Sequence, residues 1–252
     1  MVNEEVYSNE FFENQTIWRE RYFEMANWLW LNFKPKKVID FGCGNGFIIS
    51  MLKRCGASVI GVEGSSNALK HVPENVKGDV RIADITRPLN FGKYDLVISS
   101  EVAEHLPANS ADVFLDNLTS HTKSVMFFTA AEPGQTGTHH INEQPHEYWI
   151  EKFNIRGFVP LEDKTQNMRK YLTKLWKQYG LRGHHSPRHF TSNLMFFRRA
   201  SEEDAAMINH QLIVQHTGLI LPIYLIRYLI YVRPLAFLNG IRQLPKRTLH
   251  RH

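Results

Sequence analysis

The sequence predicts an α/β fold: a doubly wound, mostly parallel sheet with helices on both faces. Two observations carry this. From Lys37 onward, short apolar runs alternate with stretches of helical periodicity. The first of those runs, "KVIDF", opens directly into glycines at alternate positions, Gly42, Gly44 and Gly46. A glycine loop after a first strand lies at the carboxyl edge of the sheet, where such folds bind ligands.

The elements follow in order. Residues 8–33 read as one helix, with Ser8 as N-cap and Ile17, Trp18, Phe23, Met25, Trp28, Leu29 and Leu31 at roughly helical spacing. Pro35 ends it. After "KVIDF", "FIISMLKRCG" is a helix closed by Gly56. "SVIGVE" is the second strand, "NALKHV" a short helix, "VRIAD" the third strand and "YDLVISS" the fourth. "SADVFLDNLTSHT" is a helix capped by Ser110, and "SVMFFTAA" is the fifth strand. "HEYWIEKFNIRGF" is a helix ending at Gly157, and "TSNLMFFRR" is a late strand. The expected plan is an N-terminal helical lid over 1–35, a central domain over 36–200 and a helical tail over 201–252.

Composition narrows the class. A chain of 252 residues sustains one sizeable core. Cys43 and Cys55 are the two cysteines and form no CxxC, which argues against a disulfide framework or a zinc–thiolate site. The polar start "MVNEEVYSNE" has no basic or apolar segment of a secretory signal, so a cytoplasmic location is expected. The sequons at Asn14 and Asn117 then carry no expectation of glycosylation. The net charge is +5, but residues 211–252 hold six Lys/Arg and no acid, leaving the rest one charge negative. That body has no basic stripe suited to nucleic acid. Residues 212–237 are apolar but interrupted by His216, Pro222 and Arg227, too broken for a membrane span. Two readings stand. In one, the segment lies in an anionic membrane interface, a peripheral placement suited to a lipid-linked acceptor. In the other, it packs on the core or on a second copy of the chain in a homo-oligomer.

The glycine loop excludes two ligand classes. A dinucleotide fingerprint needs a third glycine where Phe47 stands, and a phosphate loop needs a G-K-[ST] that is missing. Glu63 closes the second strand about 20 residues on, where an acid accepts hydrogen bonds from ribose hydroxyls. Asp84 closes the third strand and suits an exocyclic adenine amine. Loop, ribose acid and adenine acid describe a nucleoside ligand without pyrophosphate, and S-adenosylmethionine fits. Asp40 either orders that ligand's amino group or stabilises the loop.

With "VIDFGCGNG", Glu63, "RIADIT" and "YDLVISSEVAEHLP", the chain resembles the class I S-adenosylmethionine-dependent methyltransferases over roughly residues 36–200. The resemblance implies a Rossmann-like, seven-stranded sheet. It also implies cofactor contacts from Asp40, Gly42, Gly44, Gly46, Glu63, Asp84, Ile85 and Ser99. A narrower resemblance lies in "EVAEHLP" followed by "PGQTGTHHINEQPHEYW", which is similar to a bacterial subfamily often found beside glycosyltransferases. This implies a sugar or glycan acceptor. The chain departs from that pattern in reading Gln-Pro-His where Gln-Trp-Pro is usual, and in its extension after Arg199. Both departures bear on the acceptor.

Methylating a hydroxyl requires a general base or a metal that acidifies it. Glu101, Glu104 and His105 follow the fourth strand at i, i+3 and i+4, which places them on one helical face. His139, His140, Asn142, Gln144 and His146 crowd the glycine-bearing loop after the fifth strand. Three readings stay open. In the first, His105 or His140 is the base and Glu101 and Glu104 orient it. In the second, Glu101, Glu104, His105 and His140 hold Mg or Mn; the run resembles the metal site of small-RNA 2′-O-methyltransferases and makes RNA an alternative acceptor. In the third, the segment only contacts cofactor or caps a helix. Asn142, Gln144, Tyr148 and Trp149 are candidate acceptor contacts, although Tyr148 and Trp149 are spaced equally well for core. Cys43 is expected to be open to thiol reagents and not catalytic. His184, His185 and His189 read as solvated. A non-catalytic cofactor-binding module is the alternative from another class.

Overall fold

The computed structural model describes residues 4–135, 137–178 and 188–208. The chain divides into two units, one ending at Arg199 and the other beginning at Ala200. Of the second unit, residues 202–208 are helical, with the Ser201 hydroxyl accepting from Asp204 N at 3.2 Å as a helix cap. The expected interfacial segment at 212–237 lies outside the described residues, as do His184 and His185. Among the described residues no helix is long and apolar enough to cross a membrane.

The first unit is a seven-stranded sheet between helices. Its elements are α1 (Asn9–Gln15), α2 (Arg19–Phe33), β1 (Lys37–Phe41), α3 (Phe47–Arg54), β2 (Ser58–Glu63), β3 (Val80–Ile82), β4 (Tyr94–Ser100), α4 (Ala111–His121), β5 (Thr122–Thr129), α5 (His146–Ile155), β6 (Phe158–Pro160), α6 (Glu162–Gln178), α7 (Arg188–Asn193) and β7 (Met195–Arg199). Strand order is β3-β2-β1-β4-β5-β7-β6. Neighbours from β3 to β5 pair in parallel, and β7 runs antiparallel to both β5 and β6. The chain winds outward in both directions from the β1–β4 pair, so the loops after β1 and β4 meet at the switch point.

Strand alternation divides the core into two layers. Val38, Leu96, Val125, Phe127 and Phe196 pack under α2, α3 and α6, against Trp28, Leu52, Met168 and Trp176. Ile39, Val97, Met126, Phe128 and Phe197 face the other way, toward Phe114, Leu118, Trp149 and Phe153 of α4 and α5. Trp149 is fully buried, its ring 5.4 Å from that of Phe128. Trp149→Ala is therefore expected to lower unfolding stability by about 3–5 kcal/mol, read from urea denaturation.

Several boundaries differ from expectation. The single helix over 8–33 is two helices. Ser8 does cap α1, accepting from Phe11 N at 3.3 Å. At Thr16 the hydroxyl donates to Glu13 O at 2.7 Å, and a 3₁₀ turn over Thr16–Trp18 separates the halves. Ser110 holds the N-cap position of α4, but its hydroxyl makes no capping bond; a 3₁₀ turn leads the chain in instead. β3 stops at Ile82, leaving Asp84 in the following turn, and Thr191–Asn193 belong to α7 rather than to the late strand.

Candidate active site

Gly42, Gly44 and Gly46 all have positive φ, at 76°, 51° and 66°. Gly42 N and Cys43 N donate to Val62 O at 2.7 and 3.1 Å, which fastens the loop to β2. A Cβ at Gly42 would collide with the Val102 side chain beyond β4. Only glycine lets the two loops of the switch point lie this close. Cys43 packs its Sγ into the space a side chain at Gly61 would fill.

Glu63 ends β2 with its carboxylate already held. One oxygen accepts from Gly44 N at 2.9 Å, and the other from Gly64 N and Ser65 N at 2.8 and 3.0 Å. Asp40 is buried beside it, and its Oδ1 has no hydrogen-bond partner. Burial, and then the Glu63 charge, push the Asp40 carboxyl up to about 7. Asp84 accepts from Thr86 N and its hydroxyl at 3.0 and 2.6 Å. That bonding holds its carboxyl below the usual range.

These groups share a cavity of about 670 Å³. Gly42, Gly44, Asp40, Glu63, Asp84, Ile85 and Ser100 line it from the sheet edge. Tyr7, Phe11, Trp18, Arg21 and Tyr22 line it from the N-terminal segment. Of the expected cofactor contacts, Gly46 and Ser99 are not in the lining. Gly46 is the N-cap of α3, and Ser99 is fully buried on the far side of β4, leaving its neighbour Ser100 on the wall. The N-terminal segment is anchored next to Glu63. Glu4 accepts from the Ser65 hydroxyl, Ser66 N and Asn67 Nδ2 at 2.6, 3.1 and 2.9 Å. The Tyr7 ring stands edge-on to His105 and His139, with centroids 6.0 and 6.4 Å apart.

The fittings suit S-adenosylmethionine. An unpartnered buried carboxylate oxygen at Asp40 matches a cationic amino group, and Glu63 and Asp84 match ribose and adenine donors. One pH dependence follows. Asp40 with a raised folded-state value favours the protonated fold, so its own contribution to stability falls as pH rises from about 4 to about 7. An ammonium ligand favours the ionised form. The α-amino group stays protonated between about pH 5 and pH 7. S-adenosylhomocysteine affinity, measured by calorimetry, is therefore expected to rise across that range in the wild type, and to flatten in Asp40→Asn.

The Glu/His cluster is only partly as expected. Glu101 has φ 54° and precedes a 3₁₀ turn over Ala103–His105, so the three residues do not share a helical face. Asn193 Nδ2 donates to the Glu101 carboxylate at 3.3 and 3.2 Å. Glu104 is fully buried and accepts from Ala131 N at 3.1 Å. Burial, and then Glu101, push its carboxyl well above the usual range. Among the described residues, Glu104, His105 and His140 form the one group whose potential ligand atoms lie within 4.8 Å of one another; Glu101 stands outside it.

His105 and His140 meet edge to face, with ring centroids 4.8 Å apart. Burial, and then His140, push His105 down to about 4. His105 is therefore a neutral imidazole of low basicity. His140 is different: its Nδ1 lies 2.8 Å from a Glu143 carboxylate oxygen. Glu143 was missed by sequence reasoning, although a glutamate three residues after a histidine in a glycine-bearing loop is a usable signal. Tyr7, Arg21 and Tyr22 were missed too, because aromatic and charged residues in an upstream turn and helix carry no mark of the site.

The expected acceptor contacts lie elsewhere. Asn142 is buried and accepts from Gln144 Nε2 at 3.0 Å, and Trp149 is core. Tyr148 packs against Trp149 and under Lys152. None of these four lines the cavity; Thr138, His139, His140 and Ile141 do. Helical periodicity in α5 serves the core.

Parallel strand order, the glycine turn and the cavity at the switch point define the class I S-adenosylmethionine-dependent methyltransferase fold. The chain belongs to the family described as "Methyltransferase domain", whose model matches residues 14–186. The ubiquinone biosynthesis O-methyltransferase of Pelagibacter ubique is 31% identical over 87 residues, covering 32% of this chain and 35% of that protein. The ribosomal protein L11 methyltransferase of Thermosipho melanesiensis is 35% identical over 75 residues, covering 27% and 29%. The chain thus spans about a third of the length of these curated relatives. Among solved structures, magnesium protoporphyrin IX methyltransferase from Synechocystis PCC 6803 with bound SAM has a TM-score of 0.52 at 20% identity, covering 72% of this chain and 79% of that one. An O-methyltransferase family protein from Burkholderia thailandensis has a TM-score of 0.54 at 12% identity, covering 76% and 59%. At these identities the likeness is one of fold.

Proposed function

We propose that this chain methylates a hydroxyl group of a sugar or glycan, with His140 as general base. The observation that carries the reading is a cavity-lining imidazole held by a carboxylate, His140 with Glu143. Bound S-adenosylmethionine supplies a methyl on a sulfonium, open to in-line displacement. The chain's part is to orient and to move one proton. Glu63, Asp84 and Asp40 hold the cofactor's polar groups, and the aromatic rings of Tyr7, Phe11, Trp18 and Tyr22 offer stacking faces and exclude water. His140 takes the hydroxyl proton as the acceptor oxygen attacks. Residues 4–33 act as the lid of this site. The "EVAEHLP" and "PGQTGTHHINEQ" resemblance supports the glycan class. Residues 211–252, acid-free and apolar over 212–237, support work at a membrane surface from the cytoplasmic side, on a lipid-linked acceptor.

A second reading uses a divalent metal on Glu104, His105 and His140, favoured by the clustering of their ligand atoms. One experiment separates the two. Methyl-tritiated S-adenosylmethionine is supplied with an extract of the source cells, with and without EDTA, and the label is traced to lipid, polysaccharide, RNA, protein and small-molecule fractions. Label in polysaccharide or lipid that EDTA leaves unchanged is the expected result. Label in RNA that EDTA abolishes would replace it with the metal reading. Flotation with anionic vesicles tests the membrane step, with loss expected on deleting residues 211–252.

A further inference from the structure

We propose that Glu143 is the positioning residue of this site, fixing His140 in the tautomer that leaves Nε2 unprotonated. The inference rests on the reading of His140 as the base. A carboxylate only accepts hydrogen bonds, so the 2.8 Å contact with Glu143 Oε1 places the imidazole proton on Nδ1. The ring's lone pair is then on Nε2.

Glu143 is itself held from outside. Its other oxygen accepts from Gly134 N at 2.7 Å, so the carboxylate spans the loop and cannot turn away from the ring. Glu143 and His140 side chains are 17% and 14% exposed, which limits screening by water. The residues between them are fixed as well. Ile141 N and Asn142 N both donate to Glu104 O at 2.9 Å, tying this loop to the turn after β4. Gly137 completes the arrangement. A Cβ there would collide with Nε2 and the carbons beside it, so only glycine lets the loop backbone pack against that end of the ring. Three separate features thus act on one ring: a carboxylate that sets the proton, a backbone clamp that sets the loop, and a glycine that makes room for the Nε2 end.

The test is a long-range ¹H–¹⁵N spectrum of the full chain with labelled histidine and bound S-adenosylhomocysteine, with His140 assigned by its loss in His140→Asn. The wild type is expected to show His140 protonated on Nδ1. Glu143→Gln presents an amide donor to the same nitrogen and is expected to move the proton to Nε2. Label transfer should fall by about 100-fold or more, and S-adenosylhomocysteine affinity should stay within about twofold. Glu143→Asp, which keeps an acceptor, should restore the Nδ1–H form and part of the activity. A wild-type His140 protonated on Nε2 would overturn the proposal without any variant. So would an unchanged tautomer in Glu143→Gln. A shifted tautomer with unchanged label transfer would keep the positioning and remove the base role on which it was built.

Discussion

His140→Ala is expected to lower methyl transfer by about 10²–10⁴-fold while leaving S-adenosylhomocysteine affinity within about twofold. The split follows from position. His140 lines the cavity through a loop that makes none of the hydrogen bonds holding Glu63 or Asp40. Removing the ring takes away the proton acceptor and leaves the cofactor groups in place. Glu143 keeps its bond to Gly134, and Ile141 N and Asn142 N keep theirs to Glu104 O, so the loop stays fastened. His105 cannot substitute, because burial and its neighbour hold it near 4, a weak base at neutral pH. Single-turnover label transfer and calorimetry read the two quantities separately. A loss of only a few-fold would shift the proton step away from this histidine.

Glu63→Ala should act on the opposite quantity, weakening S-adenosylhomocysteine by about 100-fold or more. A hydrogen bond to a charged group contributes about 1.5–3 kcal/mol, so two ribose contacts amount to at least about 3 kcal/mol. The same substitution strips three backbone donors, Gly44 N, Gly64 N and Ser65 N, of their acceptor. The glycine turn then loses its preorganised shape, and the melting temperature should fall even without ligand. Glu63→Gln keeps an acceptor oxygen and should recover part of both losses. Unchanged affinity in the alanine variant would mean that the nucleoside lies elsewhere in the cavity.

What could be read from sequence divides along physical lines. β1, β2, β4 and β5 are buried on both faces, so they appear as continuous apolar runs that no helix period explains. β6 is three residues long and carries too little pattern. α6 escaped because it buries only Thr165, Met168, Leu172 and Trp176, a narrow stripe among lysines, arginine and polar residues. The cavity wall at the sheet edge was legible since Gly42, Glu63 and Asp84 sit at or just past strand ends, where spacing fixes position. The opposite wall was not. It joins helices near the N-terminus to a loop after β5, and only the folded chain brings Tyr7 against His105 and His139. Within that loop, local bonding rather than periodicity decides which side chains face inward. Hence His140 lines the cavity, while Asn142 turns into the protein.

Cys43, tucked against Gly61 on the cavity wall, has a consequence for the protein's own survival. A sulfonium methyl donor is an alkylating agent, and a thiolate is a better nucleophile toward it than any sugar hydroxyl. Burial first, then the charges of Glu63 and Asp40, push the Cys43 thiol well above its usual range, so it stays protonated. Under the proposed function, the carboxylates that would hold the cofactor thus also keep the sulfur beside it in its less nucleophilic form.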